Sequence, residues 1–159
     1  MLIGILSDSH DDMERIGRAV DLFNARGASQ IIHAGDIISP FTFEVLGKLK
    51  GAFAGVFGNN DGDRVLLAEK SGGRIHTQPH LMTVGERRIV VVHEPDMVNA
   101  LAESGHFDLV VYGHTHKQQI RRAGSALIIN PGKAAKLHKG ESTVALLDTD
   151  TMETEIVRL

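Results

Sequence analysis

The stretch Gln30-Ile31-Ile32-His33-Ala34-Gly35-Asp36 decides how the rest of the chain is read. An apolar run of strand type ends abruptly in Gly-Asp, and a buried run gains nothing from ending in a carboxylate. Asp36 is therefore positioned rather than incidental. Four other apolar runs end in the same manner. Residues 2–6 lead into Ser7-Asp8-Ser9-His10, 52–57 into Gly58-Asn59-Asn60-Asp61, 88–92 into His93, and 108–112 into Gly113-His114-Thr115-His116.

The segments between these runs are helical or tightly turned. Met13, Ile16, Val20 and Phe23 recur at helical spacing, with Gly27 as a natural stop and Asp11 and Glu14 in capping-box spacing. Ser39-Pro40 reads as an N-cap with proline at the first helical position, opening a helix to about Lys50. A short helix is expected over 65–70, and another from Pro95 to a stop at Gly105. Later the pattern changes to hairpins: 81–84 with 88–92, 118–122 with 126–129, and 143–147 with 154–157. Strands alternating with helices, then hairpins, predict one α/β domain over 1–159, its mixed sheets covered by helices.

Composition narrows the function. The chain has 159 residues, 42% hydrophobic and 23% charged, enough for a globular core. A net charge of −3 offers no basic surface for a long nucleic acid. A small phosphate ester stays in play, because a metal can supply positive charge that side chains lack. The absence of cysteine excludes disulfides and thiolate nucleophiles, so any metal is held by oxygen and imidazole nitrogen. No basic leader and no apolar run near the ~18 residues of a membrane span are present, and the expected location is the cytoplasm. Nine histidines against one tyrosine and no tryptophan direct attention to where each imidazole sits.

Set side by side, the exits deliver Asp8 and His10, Asp36, Asn59, His93, and His114 with His116. In open α/β sheets, ligands sit beyond the carboxyl ends of the strands, where loops converge. All seven side chains are competent metal ligands. Residues i and i+2 of an extended segment point the same way, so Asp8/His10 and His114/His116 are each expected to present a pair. Gly35, Gly58 and Gly113 are expected to supply unusual backbone angles that aim the loops inward. Taken singly, each exit has a plainer explanation as a solvated loop, a turn, a helix cap or a core histidine. Four histidines and three oxygen ligands exceed the need of one open catalytic ion, which takes about three protein ligands. They suit two ions ~3.5–4 Å apart, with Asp36 touching both. Two divalent cations set against Asp8, Asp36 and a bridging hydroxide leave a charge of about +1, attractive to a phosphate ester.

At these residues the chain resembles the calcineurin-like metallophosphoesterases, in particular the small single-domain phosphodiesterase branch of bacteria and archaea. Asp-x-His, Gly-Asp, Gly-Asn-x-Asp, His and Gly-His-x-His occur in order over roughly residues 7–132. The resemblance implies a four-layer αββα sandwich of two mixed sheets flanked by helices. It implies that one metal takes Asp8, His10, Asp36 and His116, and the other Asp36, Asn59, His93 and His114. The metals it implies are Mn²⁺, with Ni²⁺, Fe, Co²⁺ or Zn²⁺ as alternatives. Two positions depart from the pattern. Asn60 stands where many members carry a histidine that helps protonate a leaving group. His93-Glu94-Pro95 replaces His-Gly-His, and Glu94 reads as a partner bonded to a metal ligand, a third carboxylate near the metals, or the N-cap of the next helix, the cap being preferred.

The reaction expected is hydrolysis of phosphodiesters by attack of a metal-bridging hydroxide. Asp36, Asn59, Asn60 and His114 form the expected catalytic set; Asn59, Asn60 and Lys133 are the candidate contacts to a small phosphoester substrate. Without an imidazole at position 60, diesters with stable leaving groups are expected to outrun alkyl monoesters. The competing readings are a protein-binding scaffold of the same fold, as in one retromer subunit, and a phosphomonoesterase or dinucleoside-polyphosphate hydrolase. His33 reads as a structural residue or a support behind the ligands. His76, His80, His106 and His138 are expected in solvated loops, and Arg64, Arg87 and Arg88 as exposed charges. Sheet edges left by the late hairpins make a homodimer an expectation.

Overall fold

The computed structural model describes residues 1–136 and 140–159; His138 lies outside them. Strand β1 (Leu2–Leu6) leads into helix α1 (Met13–Arg26), followed by β2 (Gln30–His33), α2 (Phe43–Leu46), β3 (Ala52–Val56), α3 (Arg64–Lys70) and a short β4 (Ile75–His76). Next come β5 (His80–Val84), β6 (Arg87–Val91), α4 (Val98–Glu103) and β7 (Leu109–Val111). The hairpins β8 (Gln118–Ala123) with β9 (Ala126–Pro131) and β10 (Thr143–Asp148) with β11 (Thr154–Arg158) complete the order. Among the described residues the strands form two mixed sheets, ordered β11-β10-β1-β2-β3-β4 and β5-β6-β7-β9-β8.

The apolar runs are continuous because each central strand is buried on both faces. Ile3, Ile5 and Ile32 point at the second sheet and pack against Ile89, Val91, Leu109, Val111 and Ile129. Their alternates Leu6 and Ile31 face Ile16, Val20 and Phe23 of α1. On the far side Val90, Val92, Val110 and Tyr112 pack against Val98 and Ala102 of α4. Helix, sheet, sheet, helix is the αββα sandwich that the family resemblance implies. Each fully buried aliphatic side chain contributes roughly 1.5–3 kcal/mol. Gly4 has no side chain because the Phe23 ring fills that space: an added Cβ would lie 2.7 Å from it.

Parallel pairing sets the exits level. β1 pairs with β2 (Leu6 opposite His33) and β2 with β3 (His33 opposite Gly55), while β6 pairs with β7 (Val91 opposite Val111). All five site-bearing strands therefore release their loops at one end of the sandwich.

Two helix starts differ from expectation. The α1 cap is Asp12, whose carboxylate accepts the Arg15 N–H at 3.1 Å. Asp11, in a left-handed conformation, instead accepts the Ser39 backbone N–H at 2.8 Å and its hydroxyl at 2.5 Å. Ser39 stands at the N-cap position, but its hydroxyl, turned to Asp11, makes no capping bond. The helix expected from Pro40 to about Lys50 is a 3-10 turn, Pro40–Thr42, and the single turn α2. Asn24 ends it by accepting the Lys50 N–H at 2.8 Å and donating to Lys48 O at 3.0 Å, which turns the chain into β3.

Candidate metal centre

The strand exits do not stay extended. Asp8, His10, Asp36, His114 and His116 have φ of 53°, 41°, 58°, 64° and 58°. Their side chains converge through left-handed turns, not as i, i+2 neighbours of an extended segment, which corrects the expected geometry. The angles are held by backbone bonds that continue past the strands: Asp8 N–H to Gly35 O at 3.0 Å and His10 N–H to Asp36 O at 3.1 Å. Of the three exit glycines only Gly35 adopts a positive φ, 97°. Gly58 and Gly113 are needed for space instead. A Cβ on Gly58 would strike the Asp36 carboxylate and backbone nitrogen, and one on Gly113 the Ser7 hydroxyl and Asp8 carboxylate.

The seven side chains named from the sequence meet at this end of the sandwich. Asp36 Oδ2 lies 3.6 Å from His10 Nε2 and 3.4 Å from His93 Nε2. Asp8 Oδ1 lies 3.2 Å from His116 Nε2 and 3.9 Å from His10 Nε2. Asn59 Oδ1 sits 2.9 Å from both His93 Nε2 and His114 Nδ1. Two groups of close donor atoms result, Asp8/His10/His116 and Asp8/Asp36/His93.

These donors fit a cation. Asp8 Oδ1 and His10 Nε2 are buried and have no hydrogen-bond partner, a costly state unless an ion completes them. Burial pushes the Asp8 carboxyl above its usual range, outweighing the Ser7 hydrogen bond and the histidines beside it. Burial also opposes charge on Asp36, but hydrogen bonds from His93 and Asn60 win and hold its carboxyl well below the usual range. His93 is pulled upward: burial disfavours its cation, and the bonds to Asp36 and to the Ala34 carbonyl overcome that. With Nδ1–H donated to Ala34 O at 2.7 Å, a neutral His93 presents the Nε2 lone pair to the centre.

The residues behind the ligands were largely invisible in the sequence. Asp61 accepts the backbone N–H groups of Asp36 at 3.1 Å, Ile38 at 2.7 Å and Gly58 at 2.7 Å. His33, fully buried, accepts the Gly35 N–H on Nδ1 at 3.2 Å and meets Ser9 Oγ through Nε2 at 2.9 Å. It thus ties the β2 exit to the β1 exit. Gln78 accepts the His93 N–H at 2.5 Å and donates to Phe57 O at 3.4 Å and to the Glu94 carboxylate. Glu94 does occupy the position before the Pro95 turn, but its side chain makes no capping bond. Its carboxylate belongs to the Gln78 brace. Arg64 is exposed, as expected, and also braces the site: its guanidinium donates to Asp61 O at 3.2 Å and Gly58 O at 3.0 Å, holding the Asn59 loop.

Other expected positions divide. Asn60 turns inward, its N–H and side-chain amide donating to the Asp36 carboxylate at 2.9 and 2.6 Å. Lys133, a candidate substrate contact, is buried and lines a cavity that shares His116 with the centre. His76 and His80 stand on β4 and β5 with rings stacked 3.8 Å apart, not in solvated loops, whereas His106 is exposed. Arg87 donates to Thr149 O at 2.8 Å, and Arg88 pairs with Asp108. Among the described residues no helix is long and apolar enough to cross a membrane.

Two stacked mixed sheets with an Asp/His/Asn cluster at their common end, Asp8, Asp36 and His93 buried and Asn59, His114 and His116 exposed, are the frame of a metal-binding hydrolase of phosphate esters. The profile of the calcineurin-like phosphoesterase superfamily domain matches residues 1–152, and the chain belongs to that superfamily. It is 31% identical over 159 residues to a phosphodiesterase of Methanocaldococcus jannaschii, covering 96% of each chain. It superposes on the structure of an archaeal phosphodiesterase with a TM-score of 0.93, at 30% identity and with both chains fully covered. The Vps29 protein of Chaetomium thermophilum shares the fold alone, with a TM-score of 0.73, 17% identity and 100% and 96% of the two chains covered.

Proposed function

We propose that this chain is a phosphodiesterase working with two divalent ions. The observation that carries this reading is the place of Asp36 Oδ2, within 3.6 Å of His10 Nε2 and 3.4 Å of His93 Nε2. One carboxylate oxygen thus addresses ligands on both sides. Asp8, His10, Asp36 and His116 would hold one ion; Asp36, Asn59, His93 and His114 the other. The all-oxygen-and-imidazole donor set suits Mn²⁺, with Ni²⁺, Fe²⁺, Co²⁺ or Zn²⁺ as alternatives. When bound, such ions lower the pKa of water and neutralise charge on phosphoryl oxygens.

The protein's own share is positioning and charge. Hydrogen bonds from His93 and from the Asn60 amide and backbone N–H outweigh burial and hold the Asp36 carboxyl well below the usual range, which favours the anion that receives a cation. Asp8 is buried and costly as a bare anion, which favours whatever cation neutralises it. Asn59 and His114 stand together on the outer side of the cluster, 2.9 Å apart, where they can align a phosphoryl group. Asn60 can donate a hydrogen bond but cannot give up a proton. That chemistry favours diesters whose leaving group departs as a stable anion, and the relatives named phosphodiesterase agree with it.

The test is elemental analysis of protein purified without chelator, followed by assay of the Mn²⁺-loaded sample on an aryl phosphodiester and an alkyl phosphomonoester. About two metal equivalents and faster diester cleavage are expected. One equivalent at saturation, or faster monoester cleavage, would overturn the reading.

A further inference from the structure

The Gln78 side chain clasps the two sheets together at the metal centre. It lies in the turn between β4, at the edge of one sheet, and β5, at the edge of the other. Its Oε1 accepts the His93 N–H at 2.5 Å, and its Nε2 donates to Phe57 O at 3.4 Å and to the Glu94 carboxylate. Phe57 follows β3 and stands two residues before Asn59, while His93 follows β6. The clasp therefore joins the exits that deliver Asn59 and His93, whose side chains meet at 2.9 Å. Among the described residues, none of its bonds goes to Asp8, His10 or His116.

The partners dictate which way the Gln78 amide faces. A backbone N–H only donates, so His93 selects the oxygen; a backbone carbonyl and a carboxylate accept, so Phe57 and Glu94 select the nitrogen. Turning the amide over would set donor against donor and oxygen against oxygen at all three contacts. At 3.4 Å the Phe57 carbonyl holds the amide only weakly. The carboxylate of Glu94 supplies the stronger bond, and both side chains are partly buried, where water competes less for it. The effect passes on to His93. Its Nδ1 bonds Ala34 O at 2.7 Å and its carbonyl accepts the Gly113 N–H at 3.1 Å. The Gln78 oxygen adds the third restraint on where His93 Nε2 points.

We propose that Glu94, acting through the Gln78 amide, is a positioning residue for the ion assigned to Asp36, Asn59, His93 and His114, and that it raises the affinity of that ion without raising its neighbour's. The proposal rests on the two-ion reading above and adds a residue that controls one of the two sites. Groups that orient metal ligands typically change affinity by about 10–100-fold. The contribution of Glu94 is a hydrogen-bond acceptor, so an uncharged acceptor of the same length serves in its place.

The test is calorimetric titration of chelator-treated protein with Mn²⁺, comparing the unaltered chain with Glu94→Ala, Gln78→Leu and Glu94→Gln. In the first two variants one equivalent is expected to bind at least tenfold more weakly, with the other within threefold of the unaltered protein. In Glu94→Gln both are expected to stay within threefold. Loss of affinity at both equivalents, loss at neither, or a Glu94→Gln as weak as Glu94→Ala would overturn the proposal. A single equivalent in the unaltered protein would instead overturn the two-ion reading, and amide hydrogen exchange of the metal-free protein then decides the clasp. The His93 N–H is expected to exchange at least tenfold faster in Glu94→Ala than in the unaltered chain or Glu94→Gln. The Val92 N–H, bonded to Val111 O at 3.0 Å, is expected to keep its rate. Equal His93 exchange in all three proteins, or equal acceleration at Val92, would overturn the positioning role.

Discussion

The carboxylate of Asp61 accepts the backbone N–H of Asp36 at 3.1 Å, so one aspartate sets the place of another across twenty-five residues of chain. The same carboxylate accepts N–H groups from Ile38 and Gly58, and it is 4% exposed. A buried anion satisfied by three backbone donors is a rigid anchor, and Asp36 inherits its position.

Replacement of Asp61 by alanine leaves three N–H groups without a partner and lets the Asp36 loop relax. Mn²⁺ affinity is expected to fall roughly 10–100-fold, as for other groups that orient metal ligands. Calorimetric titration of the variant reads this directly, and unchanged affinity would remove Asp61 from the anchoring role.

Asp36→Asn keeps the shape of the side chain and removes the charge that faces His10 and His93. Turnover of an aryl diester is expected to drop by about 10³-fold or more, since on the proposed reading the variant loses the anion that would meet both ions. Retained folding is checked by circular dichroism, and near-normal rates would rule out the shared-ligand role.

His33 gives a pH signature separate from catalysis. Burial, with the nearby His93 adding to it, lowers its pKa to about 3 from an ordinary 6.5. The unfolded chain therefore binds a proton that the folded chain refuses. Stability contributed by the neutral ring is present above pH 6.5 and is lost as pH falls toward about 3. Between pH 7.5 and 5.5 the loss amounts to about 1.4 kcal/mol. Urea unfolding of metal-free protein and of His33→Gln at both pH values is expected to show a stability gap that narrows by that amount on acidification. A gap independent of pH would contradict the burial argument.

Gly4 and Gly17 separate space from conformation. An alanine at position 4 would press on the Phe23 ring and is expected to cost about 1–3 kcal/mol by overpacking. At position 17, within α1, the nearest obstacle to a Cβ is Val45 at 4.0 Å. There alanine is expected to add roughly 0.5–1 kcal/mol through helix propensity. Thermal or urea denaturation of the two variants should move in opposite directions.

The seven proposed ligand positions were legible because each lies in an exit that follows directly on a run otherwise apolar on both faces. Ile32 and Val111 gain by burial, while Asp36 and His114 just beyond them do not, and the contrast is visible in one dimension. The supports were not legible for the opposite reason. Asp61 sits in a stretch that reads equally well as a turn, and its bonds to Asp36 and Ile38 exist only once β2 and β3 lie side by side. Gln78 has no local pattern at all; its partner His93 is fifteen residues away. The helix expected after Pro40 fails through Asn24, a residue on another element. β4 is two residues long, too short for any periodicity to show.

Left-handed backbone at Asp8, His10, Asp36, His114 and His116 carries a consequence for anyone altering this protein. For residues other than glycine and asparagine, each such conformation costs about 1 kcal/mol, and here it is imposed by surrounding bonds. Glycine at His10, His114 or His116 relieves the tension while discarding a donor atom. A library sorted only for heat resistance in chelator will therefore enrich chains that have gone silent, whereas sorting with metal and substrate present pulls the other way.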